Sequence, residues 1–298
     1  MKRILVFGSI SYDRTLHLPR LPHAGQGVMA TSVTQSVGGK GANVSVAAAR
    51  AGARVQLVSG VGRDGDRAIH ALVEAGVDVT RVERNPSADT AEVIIHLATD
   101  QSEFGITVPG ADRQVPLASM NDAIAQFRGG HIGYLDGMIN DGAHVIRTAA
   151  RRGAPLVINP SPVHPDVAAW PMEQASVIVL NQGEARTLTG ESDEHAQLEA
   201  LHRRFPGPSV VLTMGPRGAW FSHRQRRAHI PTVEVQAVDS TAAGDTFAGY
   251  LLAGLAAGEP PEQAMQHAAR AAALCVTRHG SLHSIPHRDE LGLAPPGA

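Results

Sequence analysis

Short, wholly apolar runs alternate with longer stretches of helical period along most of this chain. Ile4–Phe7 is such a run, closed by Gly8, and it reads as a strand buried on both faces. Residues 41–52 are rich in Ala and Val at helical spacing, 55–59 make a second strand, and 66–75 a further helix. Two stretches break this rhythm. Between residues 11 and 33, Leu16, Leu18 and Leu21 alternate with polar residues and prolines, and Val28 to Val33 alternates again. Between 90 and 108, Val93, Ile95 and Leu97 are followed by Phe104, Ile106 and Val108 around a polar tip, which predicts a hairpin. Beyond it the spacing predicts strands at 131–135, 156–159, 177–180 and 210–213 with helices between, such as 141–152. A second hairpin is expected over 219–222 and 228–231, and two helices rich in small residues, 244–257 and 261–277, follow it.

Strand–helix alternation of this kind predicts an α/β fold: a three-layer α/β/α domain with a mainly parallel central sheet. The two β-rich inserts would form a small β-sheet lid. The expected division is a core of residues 1–10, 34–88 and 113–298 with a lid of 11–33 and 89–112.

Composition narrows the function without naming it. The 298 residues are 43% hydrophobic, enough for a substantial core, and the formal net charge is −2, so no basic field points to nucleic acid. The cluster Arg224, Arg226 and Arg227 reads as a solvated hairpin tip. One cysteine, Cys275, excludes a disulfide framework and a cysteine zinc site, and the fifteen histidines are read as surface residues. The N-terminus turns polar too soon for a signal peptide, and no apolar run reaches the ~18 residues of a membrane span. A cytoplasmic protein is expected.

The segment Val238-Asp239-Ser240-Thr241-Ala242-Ala243-Gly244-Asp245-Thr246-Phe247 carries the most chemistry. It sets Asp245 at a helix start behind small residues whose N–H groups can converge on an anion, as a phosphate site requires. Beside bound phosphate, Asp245 is placed to take a proton from an incoming hydroxyl. Gly38-Gly39-Lys40-Gly41-Ala42-Asn43 also opens a helix, with Lys40 and Asn43 supplying donors, but lacks the Walker A spacing; its plain alternative is a tight strand–helix junction. Asn181 to Glu184 follows a strand, and Glu184 could hold Mg²⁺ through water or simply close a capping box. Thr213 to Gly218 could admit a nucleotide or be an ordinary turn. Gly60-Val61-Gly62-Arg63-Asp64-Gly65, with Glu83 downstream, matches a dinucleotide fingerprint on paper, but that reading leaves the other glycine motifs unexplained.

Taken together, Gly8 to Asp13, Gly38 to Asn43, Asn181 to Glu184, Thr213 to Gly218, Asp239 to Asp245 and Val276 to Gly280 resemble the ribokinase-like (PfkB) family of carbohydrate kinases, and most closely its ribokinase branch. The resemblance runs nearly end to end. It implies Asp245 as catalytic base, with the backbone of Ala242, Ala243 and Gly244 as anion hole. It implies Ser11, Asp13, Gly39, Lys40 and Asn43 at the sugar, with Asp136 where the family often has glutamate. Asn181, Thr213, Gly215, Arg217, Gly218 and Gly244 would line the ATP site, with Glu184 near Mg²⁺. A monovalent cation, commonly K⁺, would be held by Asp239, Thr241, Cys275, Arg278, Gly280 and Ser284. The lid is often shared between two subunits, so a homodimer is expected.

The expectation is an ATP-dependent kinase acting on the primary hydroxyl of a pentose such as D-ribose. Ser11, where the ribokinase branch usually carries Asn, and Asp136 both depart from its pattern and bear on the sugar. The alternatives are a nucleoside kinase, a kinase of ketoses or sugar phosphates with Arg14 or Arg113 as the extra basic residue, a non-catalytic sugar-binding regulator and, least, a dinucleotide-dependent oxidoreductase.

Overall fold

The computed structural model describes residues 3–100, 102–127, 131–224 and 226–293. In chain order the first elements are β1 (Arg3–Phe7), β2 (Ser11–Leu18), β3 (Ser32–Gly38), α1 (Lys40–Arg50), β4 (Arg54–Val61), α2 (Asp66–Glu74) and β5 (Asp78–Arg84). The hairpin β6 (Ala91–Ala98) and β7 (Glu103–Val108) follows, then α3 (Leu117–Ala125), β8 (Ile132–Asp136), α4 (Gly142–Arg151), β9 (Leu156–Asn159) and the short α5 (Pro165–Ala168). The last third holds β10 (Val177–Asn181), α6 (Gln182–Thr189), α7 (Glu194–Arg204), β11 (Ser209–Thr213), β12 (Ala219–His223), β13 (Arg226–Ile230), α8 (Ala243–Ala257) and α9 (Pro261–Cys275).

Nine strands form the main sheet in the order β13-β12-β11-β10-β9-β8-β1-β4-β5. The seven from β5 to β11 run parallel, while β12 and β13 add an antiparallel edge. Because side chains alternate across a strand, β1 feeds two cores. Ile4 and Val6 pack with α1, α8 and α9, whereas Leu5 and Phe7 pack with α3, α4, α6 and α7. Parallel strands end on one edge, so Gly8, Asp136, Asn181 and Thr213 come out together at the carboxyl side, where sites form in such sheets.

The second sheet, β3-β2-β6-β7, stands apart from the first. Its hairpin β6–β7 falls where alternation predicted it. The other insert differs from expectation: the strand after β2 is Ser32–Gly38, and residues 19–31 make no strand. That stretch holds two prolines and two glycines, which cannot sustain a ladder. The Gly60–Gly65 motif belongs to the junction between the sheets. A Cβ on Gly60 would lie 2.3 Å from the Ala111 carbonyl oxygen, and one on Gly62 2.3 Å from the Asp89 carbonyl carbon. Asp64 Oδ1 accepts from the Thr90 N–H at 2.8 Å and its hydroxyl at 2.7 Å. Those glycines let the strand crossings into and out of β6–β7 pass close, and Glu83 is a β5 residue bonded by Ser119 rather than a ribose ligand. Among the described residues no helix is long and apolar enough to cross a membrane.

Candidate active site

Close packing of α1 on α8 builds the centre of the site. A Cβ on Gly249 would meet the Ala47 Cβ at 2.4 Å and the Val44 carbonyl oxygen at 2.7 Å, so the two helices touch through backbone. Their first turns therefore meet. Asn43 Nδ2 donates to Asp245 Oδ2 at 2.9 Å, and Lys40 Nζ lies 3.5 Å from Asp245 Oδ1. Asp245 is only 8% exposed. Burial alone would pull the Lys40 ammonium down, but the carboxylates of Asp245, Glu184 and Asp136 outweigh it and hold its pKa above the ordinary value.

The start of α8 is laid out for an anion. Its cap, Ala242, sits in the left-handed region at φ 61° with no side-chain cap, a conformation costing an L-residue about 1–2 kcal/mol. The first bond of the helix runs from the Thr246 N–H to the Ala242 carbonyl at 2.7 Å, and the Ala243 N–H is turned onto the Ser240 carbonyl at 3.2 Å. Among the described residues the N–H groups of Ala242, Gly244 and Asp245 have no protein acceptor. These free donors differ by one member from the expected trio: the Asp245 N–H is among them and the Ala243 N–H is not. Nothing stands within 4 Å of a Cβ built on Gly244, so that face is open.

Asp13 and Ser11 reach the site from β2. Ser11 Oγ donates to Asp13 Oδ1 at 2.9 Å, and a Cβ on Gly38 would fall 2.0 Å from Asp13 Oδ2. Burial, opposed by the Ser11 hydroxyl and reinforced by the Asp245 charge, pushes the Asp13 carboxyl up to about 6. Ser281, missed by sequence reasoning, lies close enough to Asp13 to hold its carboxyl down, and its hydroxyl donates to the Val37 carbonyl at 2.8 Å. Nothing local marks it, because it meets Asp13 only through the fold. Gly39, at φ 96°, lies against the Ser9–Ser11 backbone, where a Cβ would come within 2.7 Å.

Asp136 departs from expectation. It is fully buried, its Oδ1 accepts from the N–H groups of Met138 (2.9 Å) and Ile139 (3.3 Å), and its Oδ2 accepts from the N–H of Ser9 at 2.9 Å. Burial raises its pKa despite these donors. A carboxylate this enclosed has no surface for a sugar. It clamps the ends of β8 and β1 instead, and Ser9 Oγ in turn accepts from the Lys40 N–H at 3.1 Å.

At the far end of the edge, Asn181 and Glu184 form a reciprocal capping box at 2.9 Å in each direction. Thr213 is Asn181's register partner. Gly215 and Gly218 both have positive φ, 57° and 83°, and a Cβ on Gly218 would lie 2.2 Å from the Ile230 carbonyl oxygen. Arg217 is ion-paired to Glu194 at 3.1 Å and bonded to Gln182 at 2.8 Å, so its guanidinium is turned to α6 and α7. Behind α8, Asp239 accepts from the N–H groups of Thr241 (2.8 Å) and Gly280 (2.9 Å). Burial pushes its carboxyl up, but these donors and the Thr241 hydroxyl prevail and hold it below the usual range. Cys275 Sγ lies 3.1 Å from Ser284 Oγ and 3.7 Å from the Thr241 carbonyl oxygen, and the Arg278 N–H donates to the Cys275 carbonyl at 3.1 Å. The six residues expected around a cation are thus neighbours.

Comparison with known proteins gives the family. The model of the pfkB family carbohydrate kinases matches residues 1–288. The chain belongs to that family. It is 30% identical to a ribokinase of Bacillus subtilis over 295 residues, covering 98% of each chain, and 27% identical to a deoxyribokinase of Salmonella typhi over 291 residues, covering 95% of each. The crystal structure of a ribokinase from Cryptococcus neoformans in complex with ADP has a TM-score of 0.88 at 26% identity, with 98% of each chain covered. The protein is an ATP-dependent sugar kinase with the ribokinase-like fold.

Proposed function

We propose that this pfkB kinase transfers the γ-phosphoryl group of ATP to the primary hydroxyl of a pentose such as D-ribose, with Asp245 as general base. The observation that carries the reading is Asp245 itself: a nearly buried carboxylate, flanked by Lys40 and Asn43, at a helix start whose Ala242, Gly244 and Asp245 N–H groups have no acceptor among the described residues. Asp245 accepts the hydroxyl proton as the oxygen attacks, and the N–H groups hold charge on the transferring group. Asp13, Gly39, Lys40 and Asn43 orient the sugar, and the second sheet excludes water. Asn181, Thr213, Gly215 and Gly218 line the nucleotide path.

Glu184 would hold Mg²⁺ through water, and such an ion would neutralise charge on the phosphates. Asp239 and the carbonyls near Cys275 and Gly280 suit a monovalent cation, since the set offers one carboxylate among neutral oxygens. Bound K⁺ would fix the loop behind the anion hole. Exposed Val33, Phe104, Ile106 and Val108 on the smaller sheet support a homodimer through that sheet.

The alternatives within the family draw less support. Tyr12 donates its hydroxyl to the Asp64 carbonyl at 2.7 Å, and Phe104 stacks on His96 at 4.3 Å, so the two lid aromatics that could sandwich a nucleobase are engaged. Arg14 is paired with Glu92 at 2.8 Å, and Arg113 lines a cavity on the α4 side of the sheet, which argues against a gripped sugar phosphate. Deoxyribose remains the closest rival to ribose, because Ser11 is spent on Asp13 and Asp136 on backbone, leaving fewer groups to demand every hydroxyl. An ADP-release assay over pentoses, hexoses and nucleosides, with and without K⁺, tests the reading. Turnover of D-ribose or 2-deoxy-D-ribose far above all others supports it, and no ADP with any pentose sinks it.

A further inference from the structure

A cavity of about 320 Å³ opens at the end of β8, on the α4 side of the sheet, and no part of the kinase chemistry uses it. Two nitrogen-bearing side chains, Arg113 and His164, converge there. Arg113 Nη1 donates to the carbonyls of Met138 (2.6 Å) and Gly137 (3.4 Å), and His164 Nε2 lies 3.3 Å from the same Gly137 oxygen. Arg113 makes no ion pair among the described residues, and its side chain lines the cavity. Carboxylates stand at the rim: Asp141, held at φ 55°, and Asp166, whose Oδ2 lies 3.9 Å from His164 Nδ1. Val167 and Trp170 supply an apolar wall.

The charges select the ligand. A dianion would meet the two rim carboxylates with one permanent cation to hold it, and a simple amine would meet the guanidinium. A zwitterion satisfies both, its carboxylate on the Arg113 fork and its ammonium toward the aspartates. We propose that this cavity is a second small-molecule site, for an α-amino acid or a zwitterion of that kind with an apolar body. Its occupancy reaches the sugar site through backbone already described. Gly137 and Met138 carry both the Arg113 contacts and the N–H that holds Asp136, Asp136 holds Ser9, and Ser9 Oγ receives the Lys40 N–H.

The test uses the fluorescence of Trp170 in a Trp220→Phe background, which leaves one tryptophan. The probes are L-leucine, isocaproate (leucine without its ammonium) and isoamylamine (leucine without its carboxylate). Leucine should saturate, with each stripped analogue and the Arg113→Met variant weaker by at least about tenfold. Saturating leucine should also change the sugar KM at least about twofold while kcat holds. Equal binding of the three probes, no saturable signal from leucine, binding undiminished in Arg113→Met, or an unmoved KM overturns the proposal. Should Arg113→Met fail to fold, the three probes on the parent decide it. Because the fluorescence needs no turnover, its outcome is separate from whether D-ribose is the substrate.

Discussion

Asn43 and Asp245, 202 positions apart, share a 2.9 Å hydrogen bond between two helix starts. The bond takes one carboxylate oxygen of Asp245 and turns the other toward Lys40 at 3.5 Å. A hydrogen bond to a charged group is worth about 1.5–3 kcal/mol, enough to hold one rotamer. The consequence is a carboxylate aimed before any substrate arrives.

Asp245→Asn preserves the size of the side chain and removes its capacity to take a proton. It is expected to keep sugar and nucleotide binding while kcat falls at least ~10²-fold, in line with general-base contributions. Steady-state kinetics beside calorimetric sugar binding checks this, and near-parental turnover would remove Asp245 from the chemistry.

Gly38→Ala tests Asp13 from the backbone. Its new Cβ would fall 2.0 Å from Asp13 Oδ2, so the carboxylate must swing away. Sugar KM is expected to rise by roughly tenfold, on the order of one lost charged hydrogen bond, with the circular dichroism spectrum unchanged. An unaltered KM would mean Asp13 does not contact the sugar.

The raised carboxyl of Asp13 gives a pH signature. Its folded pKa of about 6 lies above the ordinary 3.8, so its protonation favours the folded chain. That stabilising contribution is complete below 3.8 and is lost as pH rises through about 6. Sugar binding needs the opposite form, since only the carboxylate accepts two hydroxyls. KM should therefore climb as pH falls below about 6. Asp13→Asn should abolish that limb and raise Tm more at pH ~8 than at pH ~5. Asp112, also pushed up to about 6 by burial, leaves some pH dependence of Tm in both proteins. An Asp13→Asn variant with the parental KM profile would transfer the signature elsewhere.

Glu184→Gln separates two roles of one residue. Glutamine at this position still closes a capping box with Asn181, so thermal stability should move by less than ~1 kcal/mol. Losing the charge should raise the Mg²⁺ concentration needed for half-maximal rate by several-fold. If stability drops and the Mg²⁺ requirement stays, Glu184 is only a cap.

Much of this was legible in the residues. The main-sheet strands other than the edge strand β5, the hairpin over 91–108 and the small-residue helix α8 follow from periodicity, because burial on one or both faces writes itself into spacing. The candidate base was legible too, since a carboxylate behind Ala-Ala-Gly at a helix start has few uses. Asp136 was not. Its residue type suits a ligand or a clamp equally, and only the neighbouring N–H groups of Ser9, Met138 and Ile139 decide for the clamp. Arg217 was read toward the nucleotide, yet Glu194 on α7 claims it.

Taken alone, the chain's residues determine which elements form and which side chains can do chemistry, for both are local properties of spacing and functional group. Tertiary structure decides which of those groups remain free to act. Asp245 keeps a carboxylate oxygen open because α1 meets α8 through glycine, and Asp136 loses both of its oxygens because two strand ends close over it. Availability depends on neighbours distant in sequence, and no local pattern encodes them.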